Sequence, residues 1–251
     1  MSKKITVGAG CLFLAGAVSA TVLQDWQFND PAGTTLANVS NSVSGGKIFN
    51  NDHSGAATDG SGNYVFSSAT NQSGSSITFD AVTSGSLFLR VDFSSWDSLV
   101  ANDQALFYLQ NGADNIRLVF SRTAANGLRL QIWGTSGDTD NLNNIITLAD
   151  TSATGLSAIL EVNKTLNQWQ VHYDAGSGWT NTAWYNVDAN LEINELRFVK
   201  SGDFSGLDTS LAIDRIMLAT SFADVIPEPA TIGLFALSGT GLLVIRSLKR
   251  R

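Results

Sequence analysis

An all-β fold, an antiparallel sandwich of two sheets, is what the sequence predicts for residues 21–224. Three observations predict it. Apolar residues recur at every second position through most of the region, turns rich in Gly, Asn and Ser separate them at short intervals, and no segment before residue 225 carries a sustained 3.6-residue apolar stripe. A period of two is what a half-buried strand requires, because successive side chains point to opposite faces. About 200 residues bury roughly 70% of their extended surface, so one domain needs no staple.

Taken in order, Trp26 and Phe28 alternate with Gln27 and are followed by Pro31 and Gly33, which fits a first strand ending in a turn. Residues 38–46 and 50–62 read as loop, and Tyr64 with Phe66, then Ile77 with Phe79, restore the alternation. Leu87, Leu89, Val91 and Phe93 alternate with Phe88, Arg90 and Asp92 in the clearest half-buried strand. Leu106 to Leu109, Ile116 to Phe120 and Leu128 to Ile132 follow, separated by Asn111-Gly112 and Asn126-Gly127, the dipeptide that tight hairpins favour. That order is a meander. Ile145 to Leu148, Ala158 to Val162 and Trp169 to Tyr173 continue it, and Gly176-Ser177-Gly178 turns the chain toward Ala183, Tyr185 and Val187. Leu196 and Phe198, then Leu211, Ile213, Ile216 and Leu218, close the domain.

The two ends read differently. Lys3 and Lys4 precede an apolar run from Ile5 to Val18, and Val18-Ser19-Ala20 offers the small residues at which a secretory signal is cleaved, so residues 1–20 are expected to be a signal peptide. Its removal takes Cys11, the one cysteine, and with it disulfides, thiolate metal sites and a Cys nucleophile. Residues 21–226 hold nine Lys plus Arg against 21 Asp plus Glu, a formal charge of −12, which opposes binding to nucleic acid or anionic lipid.

At the other end, Val225-Ile226-Pro227-Glu228-Pro229 leads into an apolar run from Ala230 to Ile245 and a basic terminus of Arg246, Lys249, Arg250 and Arg251. As a helix those 16 residues would cover about 24 Å, short for a hydrocarbon core of about 30 Å. The basic end stops the segment and stays cytoplasmic. Pro227 and Pro229 hold the chain extended ahead of it.

This order of features resembles the PEP-CTERM sorting signal of exopolysaccharide-producing Gram-negative bacteria. The resemblance implies that residues 225–251 are a sorting signal with a transmembrane helix over 230–245, and that a membrane-embedded exosortase recognises Pro227, Glu228 and Pro229. It further implies export across the inner membrane, transient anchoring through the helix, and delivery of the domain to the cell envelope or extracellular matrix. A second resemblance lies in the domain: Trp26-Gln27-Phe28-Asn29-Asp30 with Gly33, and Ile213-Asp214-Arg215-Ile216 with Leu218, are similar to the two ends of laminin G-like or concanavalin-like jelly rolls. That implies a jelly roll and, by analogy, contact with glycans.

Residues for chemistry are sparse. A glycosidase needs two facing carboxyl groups roughly 5 to 10 Å apart. Glu192 and Glu195 are the nearest pair, but on a regular strand an i, i+3 pair points to opposite faces, and Asn194 stands where the Glu-x-Asp-x-x-Glu pattern of jelly-roll glucanases has Asp. His53 and His172 lack partners for a triad or zinc site and read as surface residues, and Asp138-Thr139-Asp140-Asn141 reads as a turn without the glycine and distal Glu of an EF-hand. No metal and no cofactor is expected. Among six tryptophans, Trp26 and Trp169 share faces with apolar neighbours and read as core, whereas Trp133, Trp179 and Trp184 are out of phase or in turns. These three are the candidate carbohydrate-binding residues, since sugar rings stack on flat aromatic faces.

The expectation that follows is a structural or adhesive protein of the envelope or exopolysaccharide matrix, not an enzyme, processed by an exosortase and in contact with extracellular polysaccharide. A carbohydrate-binding module and a carbohydrate-processing enzyme are the alternatives.

Overall fold

The computed structural model describes residues 21–52, 56–66, 73–97, 104–122, 128–135, 137–148, 155–201 and 210–226. The expected signal peptide, His53, Pro227, Glu228, Pro229 and the run from Ala230 lie outside the described residues. In chain order the elements are β1 (Val22–Trp26), a 3-10 turn (Leu36–Asn38), β2 (Ala56–Thr58), β3 (Tyr64–Phe66), β4 (Ser73–Val82) and β5 (Ser86–Asp97). Then come β6 (Gln104–Asn111), β7 (Asp114–Arg122), β8 (Leu128–Gly134), β9 (Leu142–Leu148), β10 (Leu156–Asn163) and β11 (Gln168–Asp174). β12 (Thr180–Asn181), β13 (Tyr185–Asn186), β14 (Ile193–Ser201), β15 (Ser210–Ala219) and a four-residue helix α1 (Phe222–Val225) complete the chain.

All strand pairs are antiparallel, and they form two sheets. The first runs β12-β11-β10-β5-β15-β3-β2, with β1 also on β15 and β13 also on β11; the second runs β4-β14-β6-β7-β8-β9. Of the expected meander, β6-β7-β8-β9 forms part of the second sheet, whereas β5, read as the strand these follow and pair with, lies in the first between β10 and β15. The β6–β7 hairpin turns at Gly112, whose φ of 63° is open to glycine at little cost.

The alternating apolar residues meet between the sheets. Phe66 and Phe93 of the first sheet lie 5.6 Å from Phe198 and 4.4 Å from Phe120 of the second, and Phe107 stacks on Phe198 at 4.5 Å. Each such ring pair adds about 0.5 to 1.5 kcal/mol beyond its burial. Trp26 and Trp169 are wholly buried, as the alternation requires. Lys200 is buried too, its ammonium 5.8 Å from the Phe66 ring centre, so the inward row of β14 ends in a cation that no periodicity foretells.

Three elements differ from expectation, the first being β2, a short strand inside the stretch 50–62 that reads as loop. β1 stops at Trp26, and the chain bends at Phe28 through the left-handed region, φ 53°. That conformation costs a non-glycine residue about 1 to 3 kcal/mol, which the buried ring, 5.4 Å from Tyr64, offsets. At the other end, the expected boundary between 224 and 225 falls inside α1. Val225 is buried, and with Phe88, Ile159, Met217 and Ala219 it forms a second apolar cluster on the outer side of the first sheet. The domain extends through Ile226, which packs on the same cluster.

Candidate functional site

Each strand that buries one side chain turns the next one outward, so both sheets carry an outer face, and the two faces are built differently. On the second sheet the register aligns Arg197 of β14 with Tyr108 of β6, Tyr108 with Arg117 of β7, and Arg117 with Trp133 of β8. One transverse row therefore alternates cation and aromatic ring across four neighbouring strands. The Arg197 guanidinium lies 5.9 Å from the Tyr108 ring centre, and that of Arg117 lies 4.9 Å from Tyr108 and 5.6 Å from Trp133, all within cation–π range. Arg117 Nη1 also donates to the Tyr108 hydroxyl at 3.2 Å.

The rows on either side brace this one. Val199, Leu106 and Val119 are buried in the next row, and Tyr108 and Trp133 pack against them. On the opposite flank stand Glu195, Gln110 and Asn115, with Gln110 Nε2 donating to Glu195 Oε2 at 2.8 Å. Beyond the apolar row, the Ser121 hydroxyl donates to Gln131 Oε1 at 2.7 Å and Arg129 Nε donates to Ser121 at 3.3 Å. Gly74 of β4 leaves room for Arg197: a Cβ there would stand 2.9 Å from its Nε. The face thus offers ring surface, guanidinium donors and the Glu195 carboxylate.

The outer face of the first sheet is closed. Arg90 Nε is paired with Asp92 at 2.8 Å, both side chains nearly buried, and Arg90 Nη1 donates to the Val225 carbonyl. Phe222 of α1 lies over Phe88 at 5.7 Å and His172 at 4.4 Å. His172 Nε2 is 3.1 Å from Glu161 Oε2, so this histidine is a half-buried partner of α1 and not the surface residue expected. Burial alone would raise the Glu161 carboxyl, but hydrogen bonds from His172, Gln170 and Ser86 outweigh it and hold the group below its ordinary range. Asp25 is held down in the same way. Its burial is overcome by the Arg215 pair at 2.7 Å and by bonds from Ser42 and Gln27.

The three candidate tryptophans do not form one platform. Trp133 belongs to the second-sheet row, whereas Trp179 packs with the apolar cluster under α1, its ring 5.8 Å from the Arg90 guanidinium, on the other side of the sandwich. Trp184, 40% exposed, stands between β12 and β13 at the margin of the first sheet. Strand membership separates them, and a one-residue phase argument could not reveal it. The residues that join Trp133 are Tyr108, Arg117 and Arg197. Each was legible as the outward residue of its strand, but their alignment needs the register.

The carboxylate pair also departs from expectation. A β-bulge lies between Ile193 and Glu195, so Ile193 and Leu196 both face the core, while Glu195 keeps the outward parity of Arg197. Glu192 stands exposed just before β14 and accepts from Asn111 Nδ2 at 2.9 Å. The rule of opposite faces assumed an unbroken strand, and the bulge breaks it. Asp138 to Asn141 is a turn, as read: Asp140 Oδ2 accepts from Asn186 N at 2.8 Å and Thr139 Oγ1 from Asp188 N at 3.0 Å. Among the described residues no cluster of three His, Cys, Asp or Glu is placed to hold a metal ion.

No protein family and no curated protein matches this chain. Solved structures do. The chain is similar to a xylan β-1,4-xylosidase of Bacillus halodurans C-125, at 13% identity and TM-score 0.52 over 77% of this chain and 38% of that one. It is similar to an endo-1,3-β-glucanase of Streptomyces sioyaensis, at 12% identity and TM-score 0.50 over 82% and 98%. A third is an uncharacterised protein of Mycobacterium paratuberculosis, at 13% and 0.51 over 77% and 98%. The chain thus spans under two fifths of the xylosidase and nearly all of the other two. At these identities the likeness establishes the fold, a two-sheet jelly-roll sandwich. It also corrects the expectation that the domain is not an enzyme. A glucanase is matched over almost its whole length by this sandwich, so a missing motif gives no ground for that exclusion.

Proposed function

We propose that this is the carbohydrate-recognising domain of an exported protein of the cell envelope or exopolysaccharide matrix, with the outer face of the second sheet as its binding surface. The observation that carries the reading is the Arg197–Tyr108–Arg117–Trp133 row, where flat rings alternate with guanidinium donors beside the Glu195 carboxylate. Sugars offer complementary chemistry, an apolar ring face edged by hydroxyls. The jelly-roll fold, shared with a xylosidase and a glucanase, supports it by analogy. On this reading Pro227-Glu228-Pro229 is the exosortase recognition sequence and 230–245 the transient membrane helix, and the delivered domain serves an adhesive or structural role.

The test is affinity electrophoresis of the full chain, purified in mild detergent, through gels containing individual polysaccharides. Trp133→Ala or Tyr108→Ala should weaken retention about tenfold while the far-UV circular dichroism shows the sandwich still folded. Retention unchanged by both substitutions would overturn the assignment of the face. Mass spectrometry of the exported protein tests the processing: its C-terminus should lie upstream of Ala230, and a mature protein still carrying 230–251 would refute it. Hydrolysis is the second reading, favoured by Glu195, which stands two residues before Arg197 on β14 and so on the same face as the row. Reducing-sugar release by the wild type that disappears in Glu195→Gln would establish it.

A further inference from the structure

The cations of this acidic domain are not distributed evenly. On the first sheet Arg90 and Arg215 are each paired with an aspartate, and at the sandwich rim Lys164 donates to the carbonyls of Asp188 and Ala189. On the outer face of the second sheet, Arg117, Arg129 and Arg197 have no carboxylate within ion-pair distance among the described residues. The carboxylate nearest the row, on Glu195, is engaged by Gln110. Arg117 is partly desolvated as well: its Nε is buried and without a partner, and its guanidinium stands within 6 Å of both the Tyr108 and Trp133 rings. A guanidinium in such a place stays charged, and an anion is the ligand that best compensates its lost hydration.

From this charge complementarity we infer that the outer face of the second sheet selects an acidic saccharide, whose carboxylate or sulfate meets Arg117 and Arg197 while a neighbouring sugar ring lies on Tyr108 or Trp133. The inference rests on the carbohydrate reading above and narrows it. Adjacent strands are about 4.8 Å apart, so Arg197 on β14 and Arg117 on β7 are about 10 Å apart across β6, with the Tyr108 ring between them. The occupant therefore alternates charge and ring face along its length, as an acidic oligosaccharide does. A nucleic acid would carry far denser charge, which the formal −12 of residues 21–226 repels.

Titration of the full chain in nonionic detergent with oligogalacturonate, dextran sulfate, neutral dextran and duplex DNA tests this. At least one acidic saccharide should bind ten times or more tightly than dextran, with an affinity that falls as salt is raised. Tighter binding of oligogalacturonate assigns a carboxylate, and tighter binding of dextran sulfate a sulfate. Arg197→Gln should lower the acidic affinity about tenfold more than it lowers dextran binding, leave the melting temperature unchanged, and be partly reversed by Arg197→Lys. Dextran bound as tightly as the acidic ligands, with no effect of Arg197→Gln, would overturn the selectivity and leave the carbohydrate reading standing. DNA bound as tightly as the saccharides would overturn it too, and no binding to any saccharide would defeat both.

Discussion

The two outer faces of the sandwich use similar residues to opposite ends. On the first sheet Arg90 lies over Trp179, is neutralised by Asp92 and donates to the chain's own backbone at Val225. On the second, Arg117 and Arg197 lie over aromatic rings with no acid to neutralise them among the described residues. An arginine that has an aspartate and a covering helix is part of the scaffold. One that has only rings is available to a ligand, and substitutions should separate the two cases.

The largest effect is expected at Arg90. Arg90→Ala leaves Asp92 as an uncompensated charge, 6% exposed, and should cost about 3 to 5 kcal/mol, read by urea unfolding. A loss below about 1 kcal/mol would mean that the first face is not sealed as described. Val225→Ala tests the seal more gently: two methyl groups leave a wholly buried position, and about 2 kcal/mol should go with them.

A pH titration comes next. Asp25 and Glu161, both on the closed first-sheet side, have carboxyls held below their unfolded values of about 3.9 and 4.3. Their stabilisation is complete above those values and is lost as pH falls through the lower, folded ones. Asp214 acts oppositely: burial, then the charge of Asp92, raises its carboxyl, so its ionisation opposes folding at neutral pH, and that cost is relieved as pH falls from its folded value to its unfolded one. With Asp59, held down by bonds from Asn63 and Ser61, three groups against one predict net destabilisation below about pH 4, a loss that Asp25→Asn should make shallower. The smallest effect belongs to the open face. Arg197→Gln should shift stability by less than about 0.5 kcal/mol, because its side chain is exposed and carries no packed contact that folding needs.

Much of the architecture was legible in the sequence because alternation is a local property. Leu87 to Phe93 and Ile116 to Phe120 announce their inward faces without reference to any partner. What alternation cannot carry is register, and the candidate site consists of register. Tyr108 gains meaning only when β6 sets it between Arg197 and Arg117, and Trp133 parts from Trp179 because β8 lies in the other sheet. The bulge before Glu195 is likewise invisible, since one extra residue inverts a parity that sequence reading takes as constant. α1 escaped for a different reason. Four residues are too few for a helical period, and Phe222 and Val225 are ordered by the apolar cluster beneath them.

β1 opens the domain and β15 precedes its last turn, and they pair antiparallel so that Val22 lies opposite Ala219 while Thr220 N donates to the Thr21 carbonyl at 3.1 Å. The chain therefore enters and leaves the sandwich at one point. Tension applied between Thr21 and Thr220 would peel β1 from β15 one pair at a time, from Val22 toward Trp26, the weakest way to load a ladder whose bonds run perpendicular to the strands. Tension on the C-terminal side alone passes instead through Val225 and its bond from Arg90 into β5, in the middle of the first sheet. Hung from one end the domain bears load through its interior, and pulled by both it opens like a seam.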